Sequence, residues 1–360
     1  MSGAASGDAL DMRAMPRDAA RLAIGVVGSG NIIENAHLPS YQAAGFRVVA
    51  ITSRTEANAR RVAEARGIGR VHRSVAALLA DPEVDVVDIA LPPDLQPPVA
   101  LEAIRAGKHV LAQKPLAVTY RDAVAMVDAA ERAGVVLAVN QNGRFDPSIN
   151  AARRLVADGL LGTRLVASMT MHIRMPWQAY YKDPRYERLM ILHMSVHHID
   201  QMRVLFGDPA GVSACARKVP GQEHFGETIT QYTLHYDDGF WATSLDDGVD
   251  WSSDFGITYR IQGTDAVILG EIGWPRLTHS TLKFQRRGDE RWEEPTFSRM
   301  WFPDAFSATM GELLSAIEDD RRPTNSGRDN LGTMRAVMAA YRSIGENRVV
   351  GVDEITAERD

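Results

Sequence analysis

Short apolar runs alternate with amphipathic stretches over the first 140 residues. Leu22–Val27, Phe46–Ile51, Val84–Leu91, Val110–Ala112 and Val135–Val139 read as strands. Glu56–Arg66, Pro97–Ala106 (closed by Gly107) and Tyr120–Ala133 carry apolar residues at helical spacing. Strands alternating with helices predict a parallel sheet covered on both faces. The expected unit is a doubly wound α/β domain over residues 22–141. Residues 1–21 are small, polar and aperiodic, which predicts a disordered N-terminal tail.

Beyond a helix near Pro147–Asp158 the pattern changes. Arg164–Arg174, Val212–Val219, Thr228–Tyr236, Phe240–Leu245, Gly256–Gln262, Ala266–Leu269 and Thr281–Arg286 are closely spaced and strand-like. Asp238-Gly239 lies between two of them and supplies the positive φ angles that a tight hairpin needs. Helical patterns at Arg188–Phe206, Phe306–Asp320 and Arg328–Gly345 interrupt and follow the strands. Residues 142–350 therefore read as an α+β domain with a mainly antiparallel sheet, expected to bind substrate.

Composition removes several classes of function. Forty basic against 46 acidic side chains leave a net charge of −6. That balance argues against a nucleic-acid or anionic-membrane partner, which calls for a basic excess. The single cysteine, Cys215, excludes an internal disulfide or a multi-cysteine metal site. No apolar run reaches the roughly 18 residues of a membrane span. The N-terminal stretch holds Asp8, Asp11 and Asp18 and lacks the apolar core of a signal peptide, so the expected compartment is the cytoplasm.

The first strand runs into Gly28-Ser29-Gly30-Asn31-Ile32. In a dinucleotide turn the first Gly allows the bend and the second lets backbone approach a pyrophosphate at a helix N-terminus. Gly28, Gly30, Asn31 and Ile32 are the expected cofactor contacts, although Ile33 stands where a third Gly is usual. At the end of the second strand an acidic residue would bond a ribose 2′-hydroxyl. Here Thr52-Ser53-Arg54 offers a hydroxyl and a guanidinium, which suit a 2′-phosphate. The expectation is NADP(H), with NAD(H) as the alternative if Arg54 is only a solvated charge.

Two segments carry further chemistry. Lys114-Pro115 follows the fifth apolar segment, and a strand C-terminal end is where ligands bind in open α/β sheets. On a helix, His193, His197 and Asp200 would share one face, with His198 pointing elsewhere. His197 is the candidate proton acceptor because imidazole titrates near neutrality. Lys114 as an ammonium would orient the same substrate oxygen. Asp200 would hold the histidine or shape the pocket, or pair with Arg203. His193 is a substrate contact or a structural residue. Arg144 is a candidate for substrate or cofactor contact, with a structural ion pair as the alternative. Trp177, Tyr180 and Tyr181, with Lys182 and Arg185, form an aromatic–basic stretch that would cover a substrate or line a subunit interface.

The chain resembles the Gfo/Idh/MocA oxidoreductases from about Leu22 to Val350. The resemblance rests on Gly28–Asn31, on Ala106–Leu111 with Gln113-Lys114-Pro115, and on Arg144–Pro147. His197-x-x-Asp200, Gly263-Thr264 and Ala340–Ser343 extend it. It implies a Rossmann domain followed by an open-faced sheet domain that often associates as a homodimer or homotetramer. It also implies hydride chemistry on a sugar, cyclitol or related polyhydroxy compound. Pro92 and Gln96 occupy the family's nicotinamide-side Pro-Asn-x-x-His segment, and Gln96 replaces its His. Gln113 replaces the Glu before the lysine, and His193 and Ser195 replace an Asp and a Gly. Two other readings stand beside it. One is a non-catalytic NAD(P)-binding sensor or assembly protein. The other is a divalent-metal enzyme using His193, His197 and Asp200, although the dehydrogenase reading needs no metal.

Overall fold

The structure, a computed structural model, describes residues 6–11, 13–177, 186–220, 226–253 and 256–358. They form two compact units. The first is built on a six-stranded sheet of β1 (Ala23–Val27), β2 (Arg47–Thr52), β3 (Arg70–His72), β4 (Val86–Ile89), β5 (His109–Gln113) and β6 (Leu137–Asn140). The order is β3-β2-β1-β4-β5-β6, and every neighbouring pair is parallel. A helical stretch over residues 31–43 follows β1; its Ile33–His37 turn is π and its end is α1 (Leu38–Ala43). Then come α2 (Glu56–Arg66), α3 (Val75–Leu79), α4 (Gln96–Arg105) and α5 (Tyr120–Ala133). All five residues of β1 are buried, as a central strand covered on both faces requires. This is the doubly wound domain the alternating pattern predicts. The pattern missed β3, three half-buried residues with charged or imidazole ends and no apolar run to mark them.

The second unit carries α6 (Pro147–Ala157), β7 (Arg164–His172), α7 (Val196–Phe206), β8 (Gly211–Arg217), β9 (Ile229–His235), β10 (Trp241–Asp247), β11 (Gly256–Gly263), β12 (Ala266–Ile272) and β13 (Thr281–Arg286). With the short β14 (Val350–Gly351) the strands form one sheet, ordered β13-β12-β11-β7-β10-β9-β8-β14. Only the β7–β10 pair is parallel. Alternation along the strands separates two faces. Met169 and Met171 of β7, Tyr232 and Leu234 of β9, and Ile257 and Ile261 of β11 are buried. The opposite face keeps Trp241 and Leu245 of β10 at 47% and 39% exposed.

The division into units departs from chain order. Residues 302–331, with α8 (Asp304–Glu318) and the first turn of α9 (Gly327–Glu346), belong to the first unit, and residues 332–358 to the second. Met310, Leu313 and Leu314 of α8 pack in one cluster with Ile24, Val26 and Leu111, so the apolar face of this late helix completes the parallel-sheet core. The N-terminal stretch also differs from the disordered tail expected. Ser6 bridges to Thr296, and Asp11 is buried against Arg299 and Asn150. Met15 and Ala19 pack on the first unit's core. Two apolar side chains and one buried aspartate help to anchor this segment, with Asp8 accepting the Ser298 N–H at 3.0 Å and Glu318 accepting the Arg17 N–H at 2.8 Å.

Candidate functional site

The turn after β1 has the geometry of a phosphate cradle. Gly28 sits at φ 123°, donates its N–H to the Thr52 carbonyl at 2.9 Å, and is so close to β4's end that a Cβ would lie 2.6 Å from the Ala90 oxygen. No other residue fits there. Gly30 is the reverse case: nothing lies within 4 Å of a Cβ, so its backbone is open to a ligand. Asn31 is exposed and bonded to Asn35 at 2.6 Å, while Ile32 packs on the core behind the turn. The Ser29 hydroxyl donates to the Ser53 hydroxyl at 2.9 Å, joining the β1 and β2 turns, and Arg54 beside them is exposed. Thr55 precedes α2 without a side-chain cap, so the helix start offers unsatisfied amides next to Ser53 and Arg54. Gly-rich turn, hydroxyl pair, cation and helix start together fit a dinucleotide.

Lys114, at the C-terminal end of β5, is partly buried, and burial alone lowers its amine to about 8. Two side chains organise the strand end around it. Gln96, expected at the cofactor, is instead fully buried. Its amide donates to the carbonyls of Gln113 (2.8 Å), Leu116 (3.0 Å) and Pro115 (3.2 Å), and its oxygen accepts the Gln113 N–H at 2.6 Å. Gln96 therefore shapes the backbone that carries Lys114. Pro92, also expected at the cofactor, is exposed, and its carbonyl starts the turn into α4.

Gln113 is the second organiser, and it leads to a network that sequence reasoning missed. Its oxygen accepts the Lys114 N–H at 2.9 Å, and its amide lies 3.2 Å from His37 Nε2. The Asn140 amide meets the same nitrogen at 3.0 Å, its orientation set by Thr309 donating to its oxygen at 2.8 Å. With two donors on Nε2, the His37 proton sits on Nδ1, which donates to Asp88 at 2.7 Å. Tyr41 donates to the same carboxylate oxygen at 2.9 Å. A Glu at position 113 would place an acceptor where the Gln113 amide places a donor against Nε2. The signal available in the sequence was Asp88, a carboxylate inside the apolar run Val84–Leu91, which needs buried partners.

The histidine helix departs from ideal α spacing, because residues Ile191–Ser195 form a π turn ahead of α7. His193 and His197 are both buried, and their ring neighbours differ. Tyr186 packs edge-on to His193 at 5.5 Å, and Trp301 edge-on to His197 at 5.8 Å. His198 does point elsewhere: its Nδ1 lies 2.9 Å from Asp246 of β10. Burial alone would raise the Asp246 carboxyl, but the neighbouring His198 and serine hydroxyls hold it below the ordinary value. Asp200 and Arg144, expected at the substrate, are each other's partners. Arg144 Nε and Nη2 donate to the two carboxylate oxygens at 2.8 and 2.5 Å, with both side chains at most 2% exposed. Thr333 adds a bond to Asp200 at 2.8 Å. Arg203, the alternative partner, reaches Asp200 only at 3.9 Å and bonds Asp208 and Thr333 instead. Among the described residues no group of three or more His, Cys, Asp or Glu gathers to hold a metal ion.

Trp177 is buried rather than poised over a pocket. Its indole N–H donates to the Gly248 carbonyl at 2.9 Å, and a Cβ on Gly248 would meet the ring at 2.5 Å. Tyr180, Tyr181, Lys182 and Arg185 lie outside the described residues.

The model of an oxidoreductase family with an NAD-binding Rossmann fold, the Gfo/Idh/MocA family, matches residues 22–141. The model of that family's C-terminal alpha/beta domain matches residues 153–352. The chain is 30% identical to a D-apiose dehydrogenase of Paraburkholderia graminis, covering 92% of this chain and 90% of that one. It is 28% identical to a 1,5-anhydro-D-fructose reductase of Ensifer adhaerens, over 91% and 98% of the two chains. A solved oxidoreductase from Agrobacterium radiobacter, in complex with NAD+, L-tartaric acid and magnesium, shares the fold. It has a TM-score of 0.82 at 23% identity, over 93% of this chain and 99% of that one. Among the described residues no helix is long and apolar enough to cross a membrane.

Proposed function

Because the chain belongs to the Gfo/Idh/MocA family of oxidoreductases, we propose that it moves a hydride between NAD(P) and the CH–OH carbon of a sugar or related polyhydroxy compound. The observation that carries this reading is Lys114: a partly buried amine at a strand C-terminal end, lowered to about 8, in the same unit as the Gly28–Gly30 cradle. The sugar class is supported by the activities of the D-apiose dehydrogenase and the 1,5-anhydro-D-fructose reductase. Bound NAD(P) supplies the hydride acceptor or donor. Gly28 and Gly30 hold its pyrophosphate against the helix start. Ser53 and Arg54, with no acidic residue at the end of β2, favour NADP(H) over NAD(H).

Lys114 as an ammonium orients the substrate hydroxyl and stabilises the charge that develops on its oxygen. His197 accepts the hydroxyl proton in oxidation and returns it in reduction. The test is steady-state turnover on a panel of aldoses and cyclitols with NADP and NAD, beside fluorescence titration of NAD(P)H. Lys114→Ala should lower kcat by roughly 10²–10⁴-fold with cofactor affinity retained. Turnover intact in this variant would overturn the reading. Lys114 is charged below about pH 8 and neutral above it, so kcat for oxidation should fall as pH rises through about 8. Lys114→Arg should lack that limb, since guanidinium keeps its proton.

The exposed sheet face with Trp241 and Leu245 also suits self-association into a homodimer or homotetramer. Light scattering of the wild type and of Trp241→Glu checks this, and a monomeric wild type would end it.

A further inference from the structure

We propose that Gly143 and the Arg144–Asp200 ion pair form a clamp that sets the orientation of His197, so that these residues position the base rather than touch the substrate. The inference rests on the reading of His197 as the proton acceptor. It starts from three contacts that hold Gly143 and Arg144 against α7. The Gly143 carbonyl accepts the Gln201 amide at 2.9 Å. The Arg144 guanidinium meets both oxygens of Asp200. Between these bonds the Gly143 backbone lies directly against the imidazole: a Cβ there would be 3.1 Å from His197 Nδ1 and 3.5 Å from its Cβ.

Each bond fixes a different freedom. Asp200 lies three residues, about one helical turn, from His197 on the same helix face. Its two-point bond to Arg144 therefore fixes how the segment crosses the helix at that level, because a guanidinium–carboxylate fork permits little rotation. Gln201 bonds the carbonyl of the neighbouring residue and fixes the segment's height over the helix. Asp200 is held in turn by Thr333, which also accepts a bond from Arg203 at 2.7 Å. Gly332, next to Thr333, leaves room for that guanidinium: a Cβ there would fall 2.2 Å from Arg203 Nη2. On its other side His197 meets the Trp301 ring, which itself packs edge-on to Trp274 at 5.9 Å. The imidazole is thus confined between a glycine backbone and an indole. A methyl group at 143 requires the imidazole to shift by a few tenths of an ångström or the Gln201 bond to break.

Asp200→Asn leaves Arg144 buried without its charge and can fail to fold, so the decisive variant is Gly143→Ala, whose perturbation is one methyl group. We expect kcat to fall about 10- to 100-fold, as misplacement of a reacting group does. KM and the NAD(P)H dissociation constant should stay within about twofold of wild type, a split that a general loss of packing would not produce. In a His197→Asn background Gly143→Ala should cost nothing further, because the group it displaces is gone. Wild-type kcat in Gly143→Ala, with turnover lost in His197→Asn, would overturn the clamp and leave the base assignment standing. Wild-type kcat in His197→Asn would overturn the base assignment and the clamp with it.

Discussion

The glycine turn proposed to hold the cofactor and the helix that carries the histidines are built in opposite ways. At Gly28–Gly30 the chemistry belongs to the backbone. The side chains nearby are absent, small or exposed, and Arg54 and Asn31 reach into solvent. On α7 the chemistry belongs to side chains, and every polar residue from His197 to Arg203 is buried. A backbone site can be written in a few adjacent residues, because only glycine reaches φ 123° at a point where a Cβ would lie 2.6 Å from a carbonyl oxygen. A buried side-chain site cannot, because each charge needs a partner from another element. Arg144, Asp200 and Thr333 come from three separate places in the chain.

The contrast makes the two regions break differently. The largest effect is expected on the helix side. Arg144→Ala leaves the Asp200 carboxylate buried without its guanidinium, which should cost about 3–5 kcal/mol and appear as a clear loss of thermal stability. A Tm within a degree or two of wild type would mean that the pair is not the anchor its burial implies. Next in size is Gly28→Ala. Forcing a Cβ into that turn stores about 1–3 kcal/mol of strain or shifts the turn. Read as affinity, this is about 5- to 160-fold weaker NAD(P)H binding. Unchanged titration curves would remove Gly28 from the cradle. The smallest effect is Arg54→Ala. An exposed charge contributes about 1 kcal/mol, so NADPH affinity should drop about fivefold while NADH affinity stays level. Equal losses for both nucleotides would point away from 2′-phosphate recognition.

Much of the fold was legible because its signals are local. Alternating apolar runs and amphipathic helices mark the parallel sheet, and closely spaced strand-like segments with an Asp-Gly hairpin signal mark the antiparallel one. The Gly28–Gly30 turn and Lys114 were visible for the same reason, being punctuation at strand ends. Contacts between distant segments are not written in local spacing. Trp177 and Gln96 have the composition of ligand contacts, yet packing gives one to the Gly248 carbonyl and the other to the backbone around Lys114. Sequence spacing alone places His193 and His197 one regular α turn apart, but a π turn at Ile191–Ser195 precedes His197.

The amino-acid order alone determined the class of fold: an alternating α/β unit with a glycine turn after its first strand, followed by a unit with a mainly antiparallel sheet. Those properties follow from residue type and short spacing, which act before the chain has a shape. Tertiary structure decided which polar groups are spent on one another. It joined Asp200 to Arg144 and His37 to Asp88, packed α8 into a core that begins at Ile24, and tied the N-terminal stretch to Thr296 and Arg299. The physical reason is burial. A charge taken out of water must find its partner wherever the fold supplies one, and distance along the chain does not reveal where that will be.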